Sequence, residues 1–306
     1  MIDKFCLFTN DIETISIWYN SLRIETAHNV VKKGLPLLLD IYDKYDIKTT
    51  FFVTGTIAKL YPEIIKIILE RGHEVGSHGL SHERMHGFDI LSYEDQIYHL
   101  VESKKILEDI GGKEVISFRA PALRVSKNTA TALEESGYKI DSSIASQRFD
   151  MFMSMGGLKK MRWLTAPRLP YRPSSNNIFK RGHSKIIEVP LTAFGLPYLG
   201  TTMRLFPRIT DIQKLAFDFE ASLDQKPIVF IIHPNEFIDE SDKKRIIEKR
   251  SVNPFSSFFQ DTIRSKLKIN NLGPQAIPLY ENQIKFFKEK HYNFLPLRDY
   301  VKKTRL

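Results

Sequence analysis

The chain has 306 residues, 42% of them hydrophobic and 26% charged, a balance that excludes a disordered, collagen-like or coiled-coil protein. Its single cysteine, Cys6, rules out an internal disulfide framework and a multi-cysteine zinc site, so any metal must be held by histidines and carboxylates. The net charge of +9 points to an anionic partner without choosing among nucleic acid, a membrane surface and an acidic glycan.

Lys4 to Thr9 is a short apolar, β-prone run ending in Asn10-Asp11, and Val30 to Tyr45 follows as a helical pattern with apolar residues at threes and fours. Cys6 sits in the apolar run and reads as a small core residue. The pattern repeats. Thr49 to Val53 reads as a strand closed by Gly55, Tyr61 to Glu70 as an amphipathic helix, and His73 to Ser77 as a strand. Helix 92–110, strand Val115 to Phe118, helix Lys127 to Ser136 and strand Tyr138 to Ser142 continue the alternation. Strands return at Ile186 to Pro190 and Ile228 to Ile232, before a closing helix Ile277 to Lys290, strand Asn293 to Leu297 and a short helix. Roughly seven βα units suggest a barrel rather than an open sheet. With no linker and no repeat, residues 1–306 read as one domain with insertions at about 145–184 and 238–272.

The first insertion contains a basic stretch, residues 158–185, with Arg168 and Arg172 and no Asp or Glu. It reads either as a solvated loop or as an anion-binding wall in which Arg168 or Arg172 meets an acidic substituent or phosphate. The second, with Phe255, Phe258 and Phe259, is open to three readings: an interfacial helix, an oligomer contact or a packed excursion. No apolar run approaches the roughly 18 residues of a membrane span, and Met1 to Phe5 lead into the first strand without a signal-peptide pattern. The expectation is a cytoplasmic protein, with peripheral contact at the inner membrane face and an oligomer left open.

The chemistry gathers at strand ends. In Gly76-Ser77-His78-Gly79-Leu80-Ser81-His82, two histidines four apart on a helical turn would face one side and hold a single divalent ion. An HxxxH pair alone is weak, and His73 and His86 read as ordinary polar histidines. Asp11 and Glu13 close the first strand at alternate positions. Two histidines and one carboxylate form a facial ligand set, and the second carboxylate is free to act as a general base; a helix cap is the plain alternative for either residue. Arg119, in Phe118-Arg119-Ala120-Pro121, can hold the base carboxylate by a charge-assisted hydrogen bond, or be a surface arginine. His233 ends a fully apolar strand and suits a general acid, with a nearby carboxylate such as Asp141 to favour its protonated form. Trp18 and Tyr19 read as sugar-stacking or core side chains.

These motifs, in this order, resemble the polysaccharide deacetylase family, also called NodB-homology or carbohydrate esterase 4. Thr9-Asn10-Asp11-Ile12-Glu13 is similar to its first motif and Ser77 to His82 to its second. Arg119-Ala120-Pro121, Asp141-Ser142-Ser143 and His233-Pro234 are similar to the third, fourth and fifth. The resemblance implies a distorted (β/α)7 barrel and a metal, usually zinc, on His78 and His82. It further implies Asp11 as base held by Arg119, His233 as acid tuned by Asp141, and Pro121 near the substrate. Most members carry adjacent aspartates in the first motif, whereas here that position is Ile12. The Asp-x-Glu arrangement resembles a subgroup with the ligand two residues later, which implies Glu13 as third ligand.

The activity so implied is removal of an N-acyl group from a polysaccharide or lipid-linked glycan. Two rivals are a non-sugar amide hydrolase of the allantoinase-like branch and a catalytically silent glycan-binding barrel. Nucleic acid is not an expected partner, because no recognition helix or basic-aromatic interleaving is present.

Overall fold

All eight residues of the first strand, β1 (Phe5–Ile12), are buried, and a strand with no solvent face must lie inside a parallel sheet covered on both sides. The computed structural model describes residues 3–19, 21–149, 157–240 and 264–306. After β1 come α1 (Ile24–Asn29), a π-helical turn at Val30–Gly34 and α2 (Leu35–Lys44). Strand β2 (Thr50–Val53) leads to α3 (Gly55–Leu60), α4 (Glu63–Glu70) and β3 (Glu74–Ser77). The long α5 (Tyr93–Gly111) is capped by Ser92, whose hydroxyl accepts from Asp95 N, and ends at Gly112 in the left-handed region. There follow β4 (Ser117–Phe118), α6 (Thr129–Glu135) and β5 (Ile140–Asp141).

Next come the hairpin β6 (Pro173–Ser174) and β7 (Asn177–Arg181), then β8 (Ile187–Glu188), and a second hairpin of β9 (Ala193–Phe194) and β10 (Leu196–Pro197). Helices α7 (Gly200–Leu205) and α8 (Pro207–Asp224) precede β11 (Ile228–Ile232). The chain closes with α9 (Arg264–Lys268), α10 (Ala276–Glu289), β12 (Asn293–Phe294) and α11 (Leu297–Thr304).

The strands join in parallel in the order β11-β1-β2-β3-β4-β5-β8, with β12 added to β1 at Phe5 and Cys6. Past β8 the chain bends back to the opposite edge, where Thr192 N donates to Val229 O and Val229 N donates to Thr192 Oγ1. The sheet thus curls into a distorted seven-stranded barrel. Because every strand points the same way, Asp11, His78, Arg119, Asp141 and His233 emerge at one end. One hydrophobic cluster runs from Phe5 to Tyr300 and includes the fully buried Cys6. Burial pushes that thiol's pKa well up, which suits a core group and not a nucleophile.

Several boundaries differ from the sequence expectations. The helix expected over 30–45 begins at Ile24, since the π turn carries the rotation through Val30–Gly34. Gly55 opens a helix rather than closing a strand, because the Thr54 hydroxyl caps Ile57 N. Strands expected over 115–118, 138–142 and 186–190 shorten to two residues each, as their flanks turn into the loops that build the site. Helices α7 and α8 fill a passage where the sequence reading placed no element. Of the two insertions, 150–156 and 241–263 lie outside the described residues, with Phe255, Phe258 and Phe259 among them.

Candidate active site and metal centre

Three elements converge on one small polar chamber. β1 delivers Asp11 and, one residue past its end, Glu13; the loop after β3 delivers His78 and His82. The strand end of β11 delivers His233. Asp11, Glu13 and His78 are all buried. His78 and His82 hold their rings 5.5 Å apart, and one ligand atom from each of Glu13, His78 and His82 lies within 4.8 Å of the others.

The ring tautomer of His78 is fixed by its surroundings: Nδ1 lies 2.8 Å from the carbonyl oxygen of Arg119, which can only accept. Nδ1 therefore donates and Nε2 presents a lone pair, the arrangement typical of a metal-ligating imidazole. That Nε2 faces Asp11 Oδ2 at 3.9 Å and Glu13 Oε2 at 4.0 Å. His82 Nε2 accepts from Ala122 N at 3.1 Å yet lies 2.7 Å from Glu13 Oε2, so two lone-pair atoms meet at short range. Two imidazoles and a carboxylate so disposed fit one divalent ion of the zinc type. Burial, helped by the neighbouring His82 and opposed by Asp11 and Glu13, pulls the His78 ring down to a pKa of about 4, which keeps it neutral and able to ligate. Burial opposes ionisation of Glu13, but His82, His233 and His78 outweigh it and hold the carboxyl well below the usual range.

Arg119 organises the other side. It is fully buried, lies over the Phe52 ring at 4.3 Å, and spends its guanidinium on Asp11 Oδ1 (2.9 Å), Thr9 Oγ1 (2.7 Å), Ser142 O (2.8 Å) and Ser142 Oγ (2.8 Å). Asp11 Oδ1 is thereby occupied. Asp11 Oδ2 is turned toward His78 and, at 4.0 Å, toward His233 Nε2.

His233 is oriented from behind by a residue the sequence reading missed. Glu236 Oε1 lies 3.1 Å from His233 Nδ1 and accepts from His233 N at 3.3 Å; Glu236 Oε2 accepts from Arg204 Nε at 2.6 Å. Arg204 and Glu236 are both fully buried, and Arg204 also donates to the carbonyls of Lys268 and Asn270. Burial would depress the His233 ring, but the Glu236 hydrogen bond and the charges of Glu13, Glu236 and Asp11 push its pKa up to about 9. Burial likewise opposes ionisation of Glu236, and Arg204 and His233 bring it down to about 2. Gly200 at the start of α7 has to be glycine, since a Cβ there would run into the Glu236 carboxylate. The sequence hint was local, a Glu three residues after His233 in Pro234-Asn235-Glu236. Arg204 comes from a distant helix and carried no signal.

Asp141 occupies a different place from His233's partner. It accepts from Ser143 Oγ at 2.5 Å and hydrogen-bonds Glu188 on the neighbouring strand β8. Both carboxyls are fully buried. Burial and the charge of Asp141 push Glu188 well up, so the pair shares a proton. Ser143 Oγ in turn accepts from Ala120 N, which ties this pair to the Arg119 segment.

Pro121 packs beside Gly79 between the two histidines, and Ala122 and Leu123 after it adopt positive φ of 51° and 56°. Non-glycine residues held there store strain, and the gain is the Ala122 N–H aimed at His82. Tyr19 is buried with the Arg23 guanidinium 3.9 Å over its ring, and Trp18 is half-buried beside it. Arg168 spends its donors on Glu220, Gln147 Oε1 and the Ala193 carbonyl, tying the first insertion to α8. Arg172 is exposed and donates to the Ser184 and Lys185 carbonyls. His73 and His86 stay outside the chamber: His73 Nδ1 accepts from Thr49 N, and His86 Nδ1 meets the Ser81 hydroxyl.

A curled parallel barrel with a Glu-His-His cluster and an Arg-held aspartate at its strand ends has the build of a NodB-homology, carbohydrate esterase 4 protein. The model of the polysaccharide deacetylase family matches residues 25–140 of the chain. It is 31% identical over 146 residues to a peptidoglycan deacetylase of Helicobacter pylori, covering 45% of this chain and 49% of that protein. It is 29% identical over 105 residues to a peptidoglycan-N-acetylglucosamine deacetylase of Bacillus cereus, covering 34% of this chain and 37% of that one. The chain thus spans half or less of the length of these relatives. Among solved structures, a protein of Mycobacterium smegmatis assigned as a polysaccharide deacetylase superposes with TM-score 0.55 at 19% identity over 93% of this chain and 92% of the other. Puue allantoinase superposes with TM-score 0.60 at 14% identity over 97% and 88%. These two likenesses establish the fold.

Proposed function

We propose that the protein is a metal-dependent hydrolase that removes an N-acyl, typically acetyl, group from an amino sugar of a polysaccharide or surface-glycan precursor. The observation that carries this reading is the position of Asp11 Oδ2, 3.9 Å from His78 Nε2 and 4.0 Å from His233 Nε2. A base thus stands between the ligand cluster and an acid.

A divalent ion held by Glu13, His78 and His82 would supply Lewis acidity to the substrate carbonyl and to the attacking water. Asp11, steered by Arg119, takes the water proton on Oδ2. His233, kept protonated by Glu236, delivers a proton from Nε2 to the departing amine, so the acyl group leaves as the free acid and the amine stays on the sugar. The presence of both a base and an acid argues against a silent binding barrel. Exposed Arg172, Lys180, Arg181 and Lys185 favour an anionic glycan.

We extend the proposal to the cytoplasm, where precursors are built at the inner membrane face. A lone buried thiol makes no demand on an oxidising compartment, and cell fractionation checks the placement.

The test is acetate release from a panel of N-acetylated oligosaccharides, with metal content measured in parallel. About one equivalent of zinc or a similar ion, together with release from at least one glycan, supports the reading. Release from small amides alone would move the protein to the allantoinase-like branch, and no turnover of either class would sink the hydrolase.

A further inference from the structure

The outward face of α8 is apolar apart from Ser222. Between Arg208 and Asp224, the exposed positions are Ile209, Ile212, Leu215, Ala216, Phe219 and Leu223, together with Ser222. Ile212, Phe219 and Leu223 are 67, 68 and 72% exposed, beyond what a single surface apolar residue shows, and the opposite face already packs Phe217 and Ala221 into the core. The helix is about 27 Å long, and the exposed apolar surface continues next to it. Gln213 of α8 donates to Leu196 O of the β9–β10 hairpin, whose Phe194 is 65% exposed. Patches of this kind mark contact surfaces.

Residues 209, 212, 216, 219 and 223 follow the 3-4-3-4 spacing of a helix-pairing seam. The ends of the seam are also symmetric about its midpoint, and the inner pair, Ile212 and Phe219, is symmetric to within one residue. Ala216, the small residue, lies halfway between Ile209 and Leu223 and halfway between Arg208 and Asp224. An antiparallel copy of α8 crossing at Ala216 would let the backbones approach there. It would set Ile209 on the partner's Leu223 and Ile212 beside the partner's Phe219. The charges argue for the same partner. Arg208 sits at the positive end of its own helix dipole and Asp224 at the negative end, so each is of the wrong sign for its place. In the antiparallel pair each end's charge meets its opposite. We propose that the partner of this face is a second copy of the chain, paired through α8 about a two-fold axis at Ala216. A lipid surface would need cations at both ends of the apolar strip, and Asp224 stands at one of them.

The experiment is mass determination in solution at about micromolar concentration, on the full chain and three variants. The expected result is a dimer for the parent. Phe219→Glu should raise the dimer dissociation constant by about a hundredfold or more, with circular dichroism and glycan turnover unchanged. Ala216→Cys should form a disulfide-linked dimer under mild oxidation, with the buried Cys6 silent. Arg208→Asp should weaken the dimer several-fold and the added Asp224→Arg should restore it. A parent that runs as a single chain overturns the proposal, and if it then sediments with phosphatidylcholine vesicles, the face belongs to a membrane. A dimer that survives Phe219→Glu while Ala216→Cys fails to cross-link overturns it as well.

Discussion

Glu236 Oε1 and His233 Nδ1 lie 3.1 Å apart, and the other oxygen of Glu236 is held by a buried arginine, Arg204. The acid of the proposed reaction is thus tuned by a carboxylate on its own turn, while Asp141 is engaged with Glu188. His233 has a pKa raised to about 9, so the form able to give a proton persists below that pH and is lost as pH rises through it. Glu236→Gln keeps a hydrogen bond but removes the charge. The basic limb of the kcat profile should then move down toward the ordinary histidine value near 6.5, with kcat at pH 7 falling about fourfold and at pH 8 by more than tenfold. Metal content should not change. A basic limb that stays in place would show that Glu236 does not set the His233 proton.

The ligand and base roles separate by what each variant loses. His78→Ala removes an imidazole whose Nε2 faces Glu13 and should cost both the metal and turnover. Asp11→Asn keeps the shape beside Arg119 and should retain the metal while lowering kcat by roughly 10²- to 10⁴-fold, the usual worth of a general base. Elemental analysis next to acetate release distinguishes the two. Metal loss in Asp11→Asn would make Asp11 a ligand instead.

The barrel was legible because a repeating strand-helix alternation forces parallel pairing, and strand ends in a parallel barrel share one face. That is why the sequence alone gathers Asp11, Glu13, His78, His82, Arg119 and His233. Two parts escaped. Arg204 reaches Glu236 from 32 residues away in sequence, through a fold that no local pattern encodes. Helix α8 escaped because it is apolar on both faces: Phe217 and Ala221 point inward while Ile212, Leu215 and Phe219 point outward, which blurs the 3.6-residue period. The obscured signal and the proposed pairing surface have the same cause.

His73 should govern part of the acid stability. It is 4% exposed, packs against Tyr42 and Phe51, and burial pulls its pKa down to about 4 from an unfolded value near 6.5. Between those two pH values the unfolded chain binds the proton and the folded one does not. The contribution is therefore complete above about 6.5, declines as pH falls, and is gone below about 4. The shift corresponds to on the order of 1 to 3 kcal/mol. His73→Asn keeps an acceptor for Thr49 N and does not titrate. Urea unfolding at pH 7 and pH 4.5 should show a smaller stability difference for the variant than for the parent, and equal differences would rule His73 out.

Gly79 lies between the two proposed ligands, His78 and His82, and holds φ at +70°, a conformation in which an L side chain is strained. A Cβ there would also meet Pro121 Cγ at 3.2 Å. Gly79→Ala should therefore act on the metal centre through geometry, by pressing the loop off Pro121 and moving His78 and His82 relative to Glu13. Strain at such a position costs on the order of 1 to 2 kcal/mol. The expected result is a modest drop in the unfolding midpoint together with a larger loss of zinc affinity, roughly 10- to 100-fold, the scale seen when the orientation of metal ligands is disturbed. Zinc titration against a competing chelator, set beside thermal unfolding of the metal-free protein, separates these effects. A variant that unfolds earlier yet binds zinc as tightly as the parent would show that the loop backbone does not position the ligands.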